Sequence, residues 1–322
     1  PLRDVYKRQA FAICRAAAAR AIGGIPVMRV VAITTGGPGS YSRVFGDLVA
    51  GGLREAGADV TRIDLSEDVR DLPGHDAYLG VGDELLWRNP PIVAAIRGMG
   101  GRCADFRARY MNPRPTYLYR RFTDHRGRGP DMVFTHFRSR HPRSHYVGQC
   151  VDAAELFPEH DGRFTVFIDH DRTRRSVLAD ILAQCAALHR ERPEWRFWFM
   201  SDRGIVENDF RMPEAAHRTY PFTEIAWYYR RTHVVLPTHR ETQGMLAAEI
   251  AMCGGLTVLR PWMYPAERRA EIPHLLYRRR LTLPETVDIE ANRRVALGNF
   301  SPAAFAARVM AGLERLVRLP RR

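Results

Sequence analysis

The sequence predicts an α/β protein built from two open, mainly parallel sheets, and three observations carry that reading. First, His233 to Pro237 is a β-rich apolar run, followed by a polar loop, Thr238 to Gln243, and by the stretch GMLAAEIAMC from Gly244 to Cys253. Gly254-Gly255 and a second apolar run, Leu256 to Leu259, complete a strand, loop, short buried helix and strand. Second, Val30 to Thr35 reads as a buried strand that meets a glycine loop, then a helix, then another strand, which is a βαβ beginning. Third, a chain of 322 residues exceeds the length at which one core is usual, so two domains are expected.

The elements are taken in chain order. Residues 1–27 open on PLRDVYKRQ and read as a non-native or disordered leader. The alanine-rich part of that segment, interrupted by Arg15 and Arg20, lacks the apolar core and cleavage pattern of a signal peptide. Met28, directly before the first strand, is the expected start. After Gly36-Gly37-Pro38-Gly39, a helix from about Ser40 to Ala56 buries Val44, Phe45, Leu48, Val49 and Leu53, and Gly57 ends it. Val60 to Ile63 is the second strand. Asp76 to Val81 is the third, and its end carries Gly82-Asp83-Glu84, an acidic pair that caps a helix more often than it catalyses. Further strands are expected near Arg102-Cys103-Ala104 and Met132-Val133-Phe134; His136 follows the latter, as readily a packing histidine as a functional one.

The second half opens with the strand Phe164 to Ile168. A helix beginning at Ser176, its expected N-cap, buries Val177, Leu178, Ile181, Leu182, Cys185 and Leu188. Trp195 to Met200 is an aromatic strand in which Trp198 and Phe199 serve the core. Ser301-Pro302 starts a last helix, N-cap then N1, which runs to about Arg318 and buries Phe305, Val309, Met310, Leu313 and Leu316.

Composition sets bounds. Apolar content of 45% and charged content of 26% are those of an ordinary globular protein, and no stretch approaches the roughly 20 apolar residues of a membrane span. The 5 cysteines are odd in number and scattered, without CxxC spacing, which points to reduced thiols and a cytoplasmic setting. The net charge of +13 has three readings: a solvated arginine-rich surface, attraction to anionic substrates or an anionic membrane surface, or nucleic-acid binding. Arg102 to Arg143, with Tyr110, Tyr117, Tyr119 and Phe122, is the segment best suited to such a partner. It matches no nucleic-acid module, and no nucleic-acid partner is expected.

Glu249 is the only ionisable residue between Gly244 and Cys253. A carboxylate in an apolar helix is costly unless something hydrogen-bonds it. It therefore either caps protein donors or awaits a ligand with hydroxyls; the helix dipole alone would also favour it. Glu241 lies eight positions earlier, in the loop that delivers the chain to the same helix. Between the two, Gly244 lets backbone approach a ligand, and the first amides of the helix, on Met245 and Leu246, face outward. Two carboxylates flanking bare N–H groups suit a ligand with hydroxyls at both ends and phosphate between. A nucleotide sugar has that shape.

The segment ETQGMLAAEIAMCGGLTVL resembles the E-x7-E signature of family 4 glycosyltransferases, retaining enzymes of the GT-B fold. TYPFTEIAWYYRRTHVVLPTHRETQG is similar to that family's turn, amphipathic helix, buried strand and donor loop, and CVDAAELF before Pro158 resembles its interdomain stretch. The resemblance covers most of the chain from Met28, more specifically in the C-terminal half. It implies two Rossmann-like domains facing an interdomain cleft: 28–158 for the acceptor, 159–300 for the nucleotide-sugar donor, and 301–318 as a helix packing back on the first. It implies transfer of a sugar, with retention, to a hydroxyl of a glycan, lipid-linked or small-molecule acceptor, without metal or cofactor.

Site residues follow from the same resemblance. Glu241 would hold the transferred sugar and Glu249 the ribose, with Gln243, Gly244, Met245 and Leu246 in the donor loop. Gly37 would meet the donor from the N-terminal side, although its loop reads equally as a plain tight turn, and Asp83 would lie near the transferred sugar. The family's phosphate clamp is Gly-Arg, four residues, then Lys-Gly. Arg175 falls on its Lys and Ser176 on its second Gly. His170 falls on its Arg, a departure for which Arg172 or Arg174 would substitute. Asp169-x-Asp171 offers a Mg²⁺ alternative that the neighbouring arginines make unnecessary. Other classes remain: a catalytically silent scaffold of the same fold binding a nucleotide or protein partner, a basic nucleic-acid-binding protein, and a nicotinamide oxidoreductase. The last is disfavoured because Ser42 stands where the glycine fingerprint wants a third glycine.

Overall fold

A computed structural model describes residues 27–34, 41–65, 74–82, 85–107, 129–136, 141–170, 175–215, 221–239 and 245–320. Its helices are α1 (Tyr41–Glu55), α2 (Pro90–Gly98), α3 (Arg175–Glu191), α4 (Phe222–Arg231), α5 (Leu246–Met252), α6 (Ala266–Arg269), α7 (Ile289–Phe300) and α8 (Pro302–Val317). Two compact units divide the chain: Pro1–Gly148 with Pro302–Arg322, and Gln149–Ser301. Among the described residues no helix is long and apolar enough to cross a membrane.

The first unit holds six strands: β1 (Arg29–Thr34), β2 (Asp59–Asp64), β3 (Ala77–Gly80), β4 (Arg102–Arg107), β5 (Met132–Thr135) and β6 (Ser144–Tyr146). They pair in the order β2-β1-β3-β4-β5-β6, parallel throughout. Parallel sheets are covered on both faces, so their strands read as nearly unbroken apolar runs. β1 is exposed only at Arg29, and β3 and β5 are buried at every position. In α1, Phe45, Val49 and Leu53 are buried and Leu48 half-buried. Gly57, at φ 90°, ends this helix in the left-handed region that a Cβ disfavours. α8 packs against α1 at Gly52, where a Cβ would stand 2.9 Å from that of Ala306. Phe45, Phe106 and Phe305 form a three-ring cluster with centroids 5.5 to 5.9 Å apart. His136 stacks on Phe106 and Phe305, a packing histidine.

The second unit is also a six-stranded sheet, of β7 (Thr165–Ile168), β8 (Arg196–Ser201), β9 (Gly204–Glu207), β10 (Val234–Leu236), β11 (Leu256–Leu259) and β12 (His274–Leu276). The order is β12-β11-β10-β7-β8-β9, parallel except for the β8–β9 hairpin. α3 buries Leu178, Ile181, Leu182 and Cys185, leaving Val177 and Leu188 partly covered. It starts at Arg175, so Ser176 lies inside the helix and is not its N-cap. Arg293, on α7, is buried, and its guanidinium donates to the carbonyl of Leu156 at 2.9 Å and to that of Met252, at the end of α5. Burial lowers this arginine's pKa to about 10. The architecture is thus α/β in both units, as the sequence predicts.

Candidate functional site at the carboxyl edge of the second sheet

Open α/β sheets bind ligands outside the carboxyl ends of their strands, where helices begin. In the second unit the central strands β7 and β10 pair as Leu236 with Ile168, and Asp169 N donates to Leu236 O at 3.1 Å just beyond them. Asp169 is nearly buried, and its Oδ2 lies 3.5 Å from Nδ1 of His239, on the loop after β10. His170 is buried with its ring 6.0 Å from that of Phe199, so it is held in the protein beneath the edge. Arg175, the first residue of α3, is exposed at the end of the segment that succeeds β7.

The helix beside this edge is α5. Met245 has helical angles at its N-cap, without a side-chain cap, and its carbonyl accepts the amide of Glu249 at 2.8 Å. The amides of Met245 and Leu246 precede the first intrahelical bond and meet no acceptor among the described residues. Of the seven residues of α5, Ala247, Ala248, Ile250, Ala251 and Met252 are buried, which wedges the helix into the core. Gly254, at φ 83°, and Gly255 let the chain turn beneath it, each with no room for a Cβ.

Glu249 is the anomaly. Its side chain is half-buried, and burial pushes its carboxyl pKa up to about 7. No donor among the described residues reaches it. Its charge is felt nearby: together with burial it raises the Tyr229 hydroxyl and the Cys253 thiol well above their ordinary ranges. Glu249 therefore caps no protein donor among these residues, which leaves the ligand alternative open to test. Tyr229 and Cys253 were not singled out from sequence. Cys253 comes one helical turn after Glu249, a legible signal; Tyr229 comes from α4 and is brought there by packing.

Glu241, Gln243, Gly244, Arg172, Gly37 and Asp83 lie outside the described residues. The turn after Asp83 is anchored, however: the buried Asp105, on β4, accepts the amides of Leu86 at 2.9 Å and Trp87 at 3.1 Å. On the β8 side, Asp202 accepts the amides of Glu214 and Ala215, each at 3.3 Å, shaping the rim next to β7. Trp198 and Phe199 are core residues.

No family model matches this chain, and no curated protein matches it. Solved structures do. A glycosyltransferase from Rickettsia africae ESF-5 aligns over 92% of this chain and 100% of its own with a TM-score of 0.53 at 9% identity. A protein from Listeria monocytogenes described as a UDP-N-acetylglucosamine 2-epimerase aligns over 90% and 96% with a TM-score of 0.51 at 12% identity. The fold is GT-B. At such identities the likeness extends to architecture and no further.

Proposed function

We propose that this chain is a GT-B glycosyltransferase that moves a sugar from a nucleotide-sugar donor to an acceptor hydroxyl, with retention at the anomeric carbon. The observation that carries the reading is the Glu249 carboxylate, held half-buried with no donor among the described residues and a pKa pushed up to about 7. A protein retains such a group at a strand's carboxyl edge when a ligand supplies the missing hydrogen bonds. Ribose hydroxyls do this in the proposed complex. The bare amides of Met245 and Leu246, with Arg175, oppose the diphosphate, whose growing charge on departure they stabilise without reorganisation. Glu241 holds hydroxyls of the transferred sugar and offsets positive charge as the anomeric carbon becomes oxocarbenium-like. The leaving phosphate takes the acceptor's proton, so no protein nucleophile is required. Domains at 28–158 and 159–300 and a returning helix at 301–318 are part of this proposal, as is a supporting place for Asp83 and Gly37 near the sugar.

Two substitutions test it. Glu241→Ala is expected to leave the fold and nucleotide affinity intact while lowering transfer by about 10²-fold or more, the usual effect of removing one electrostatic contact to a transition state. Glu249→Ala is expected to weaken the donor first, seen as a lost thermal shift with the matching nucleotide sugar. Transfer undiminished in Glu241→Ala would remove that residue from the mechanism. An isomerised nucleotide sugar formed without any acceptor would replace the transferase with an epimerase on the same fold.

A further inference from the structure

We propose that the free edge of the second unit's sheet, at β12, is a docking surface for an anionic lipid bilayer. Among the described residues β12 pairs on one side only, with β11. Leu275 and Leu276 are 45% and 47% exposed on it, and successive strand residues point to opposite faces, so the pair flanks the rim on both sides. Leu276 is in register with Leu259, and Trp262, three residues further on, is 48% exposed. Single exposed apolar residues are ordinary, but two large neighbours on an edge strand, with a third in the turn after the strand it pairs with, are a feature.

The residues just past β12 give the surface its sign. Arg278, Arg279 and Arg280 are consecutive and all exposed. Among the described residues no carboxylate pairs with any of the three guanidinium groups. Nearby arginines behave otherwise: Arg260 is held by Asp180 and Arg268 by Glu271. The backbone beneath the arginines is nonetheless fixed. Gln184 of α3 donates to the carbonyl of Arg279 at 3.2 Å and accepts the amide of Leu281, and Tyr277 is buried with Arg260 over its ring at 5.3 Å. Three cations without a carboxylate partner among the described residues thus follow directly on two exposed leucines, over a backbone held in place.

That combination selects its partner. A bilayer carrying anionic headgroups satisfies every part: leucines enter the boundary of the acyl region, the indole lies at headgroup level, and guanidinium groups meet lipid phosphates. A nucleic acid would neutralise the arginines and leave the leucines exposed.

The test is co-sedimentation with vesicles of phosphatidylcholine alone and of phosphatidylcholine mixed with phosphatidylglycerol, without nucleotide, so that failure of the donor reading leaves it unaffected. The whole chain is expected to bind the mixed vesicles and not the neutral ones. Arg278→Gln/Arg279→Gln/Arg280→Gln is expected to lower partitioning on the order of 100-fold. Leu275→Asn/Leu276→Asn is expected to lower it at unchanged charge. Arg190→Gln/Arg294→Gln/Arg318→Gln, an equal loss of exposed charge elsewhere, serves as control and keeps most of the binding. The proposal is overturned if wild type ignores mixed vesicles, if the control loses as much as the rim variant, or if the leucine variant binds like wild type. Loss of polyuridylate binding in the rim variant with vesicle binding unchanged would assign the edge to nucleic acid instead.

Discussion

Replacing Glu249 with glutamine should make the free protein more stable, by a gain that begins above about pH 4.5 and is complete just above pH 7. The folded pKa of this carboxyl is about 7 against an ordinary value of 4.5. Below about pH 4.5 both folded and unfolded chains hold the proton, and the residue is neutral to stability. Between the two values the folded state keeps a proton that the unfolded state has released. Above pH 7 the folded state carries the whole desolvation of the ion, so stability falls as pH rises through that window. At 1.36 kcal/mol per pKa unit the shift amounts to about 3 kcal/mol as an upper bound, and residual solvent contact lowers this to about 1–3 kcal/mol. Glutamine keeps the shape and removes the ion. Urea unfolding of Glu249→Gln and wild type at several pH values should give coincident midpoints near pH 4.5 and a gap that widens to about 1–3 kcal/mol by pH 8. A nucleotide sugar whose hydroxyls donate to the carboxylate should close part of that gap in wild type alone, releasing a proton on binding at pH 6.5. A gap independent of pH, or a variant less stable at pH 8, would show that Glu249 is satisfied within the protein and defeat the reasoning.

Packing and titration give two further expected outcomes. His233 lies 4.1 Å, ring to ring, from His160, and burial followed by that neighbour lowers its pKa to about 4 from 6.5. A histidine kept neutral in the fold contributes stability that is lost as pH falls from about 6.5 toward 4; His233→Asn, which still offers an acceptor to the Thr165 amide, should flatten that acid slope in urea titrations. Gly52→Leu should destabilise the first unit by about 1–3 kcal/mol, because a side chain there meets Ala306 Cβ at 2.9 Å and the Pro302 carbonyl at 3.3 Å; a thermal midpoint equal to wild type would contradict it.

Strands buried on both faces were readable to within about a residue, because the centres of β1, β5, β7 and β8 are unbroken apolar runs and little else in a globular chain looks so. Elements at the edges were not. β6 (SHY), β9 (GIVE) and β12 (HLL) are short, half-exposed or exposed, and owe their pairing to a neighbour and not to their own composition. α7 escaped because IEANRRVALGNF has a weak apolar stripe and buries an arginine, a choice made by the carbonyls around it. At the site, Glu249 stood out as an ion in an apolar run. Tyr229, on α4, feels the charges of both Glu249 and Asp169, and these three residues come from elements far apart in sequence that only packing brings together.

The distal end of α5 has a consequence for the near one. A seven-residue helix has scarcely two turns, and left alone it would fray at both tips. Arg293 clamps one tip by taking the carbonyl of Met252, and the left-handed turn at Gly254 locks the chain just past it. The opposite tip, where Met245 begins, has no side-chain cap of its own, so the rod is anchored at the end away from the proposed diphosphate. If the proposed donor binds there, a guanidinium about a helix length away would help set its affinity, and sequence changes in α7 should retune the ligand end without contacting it.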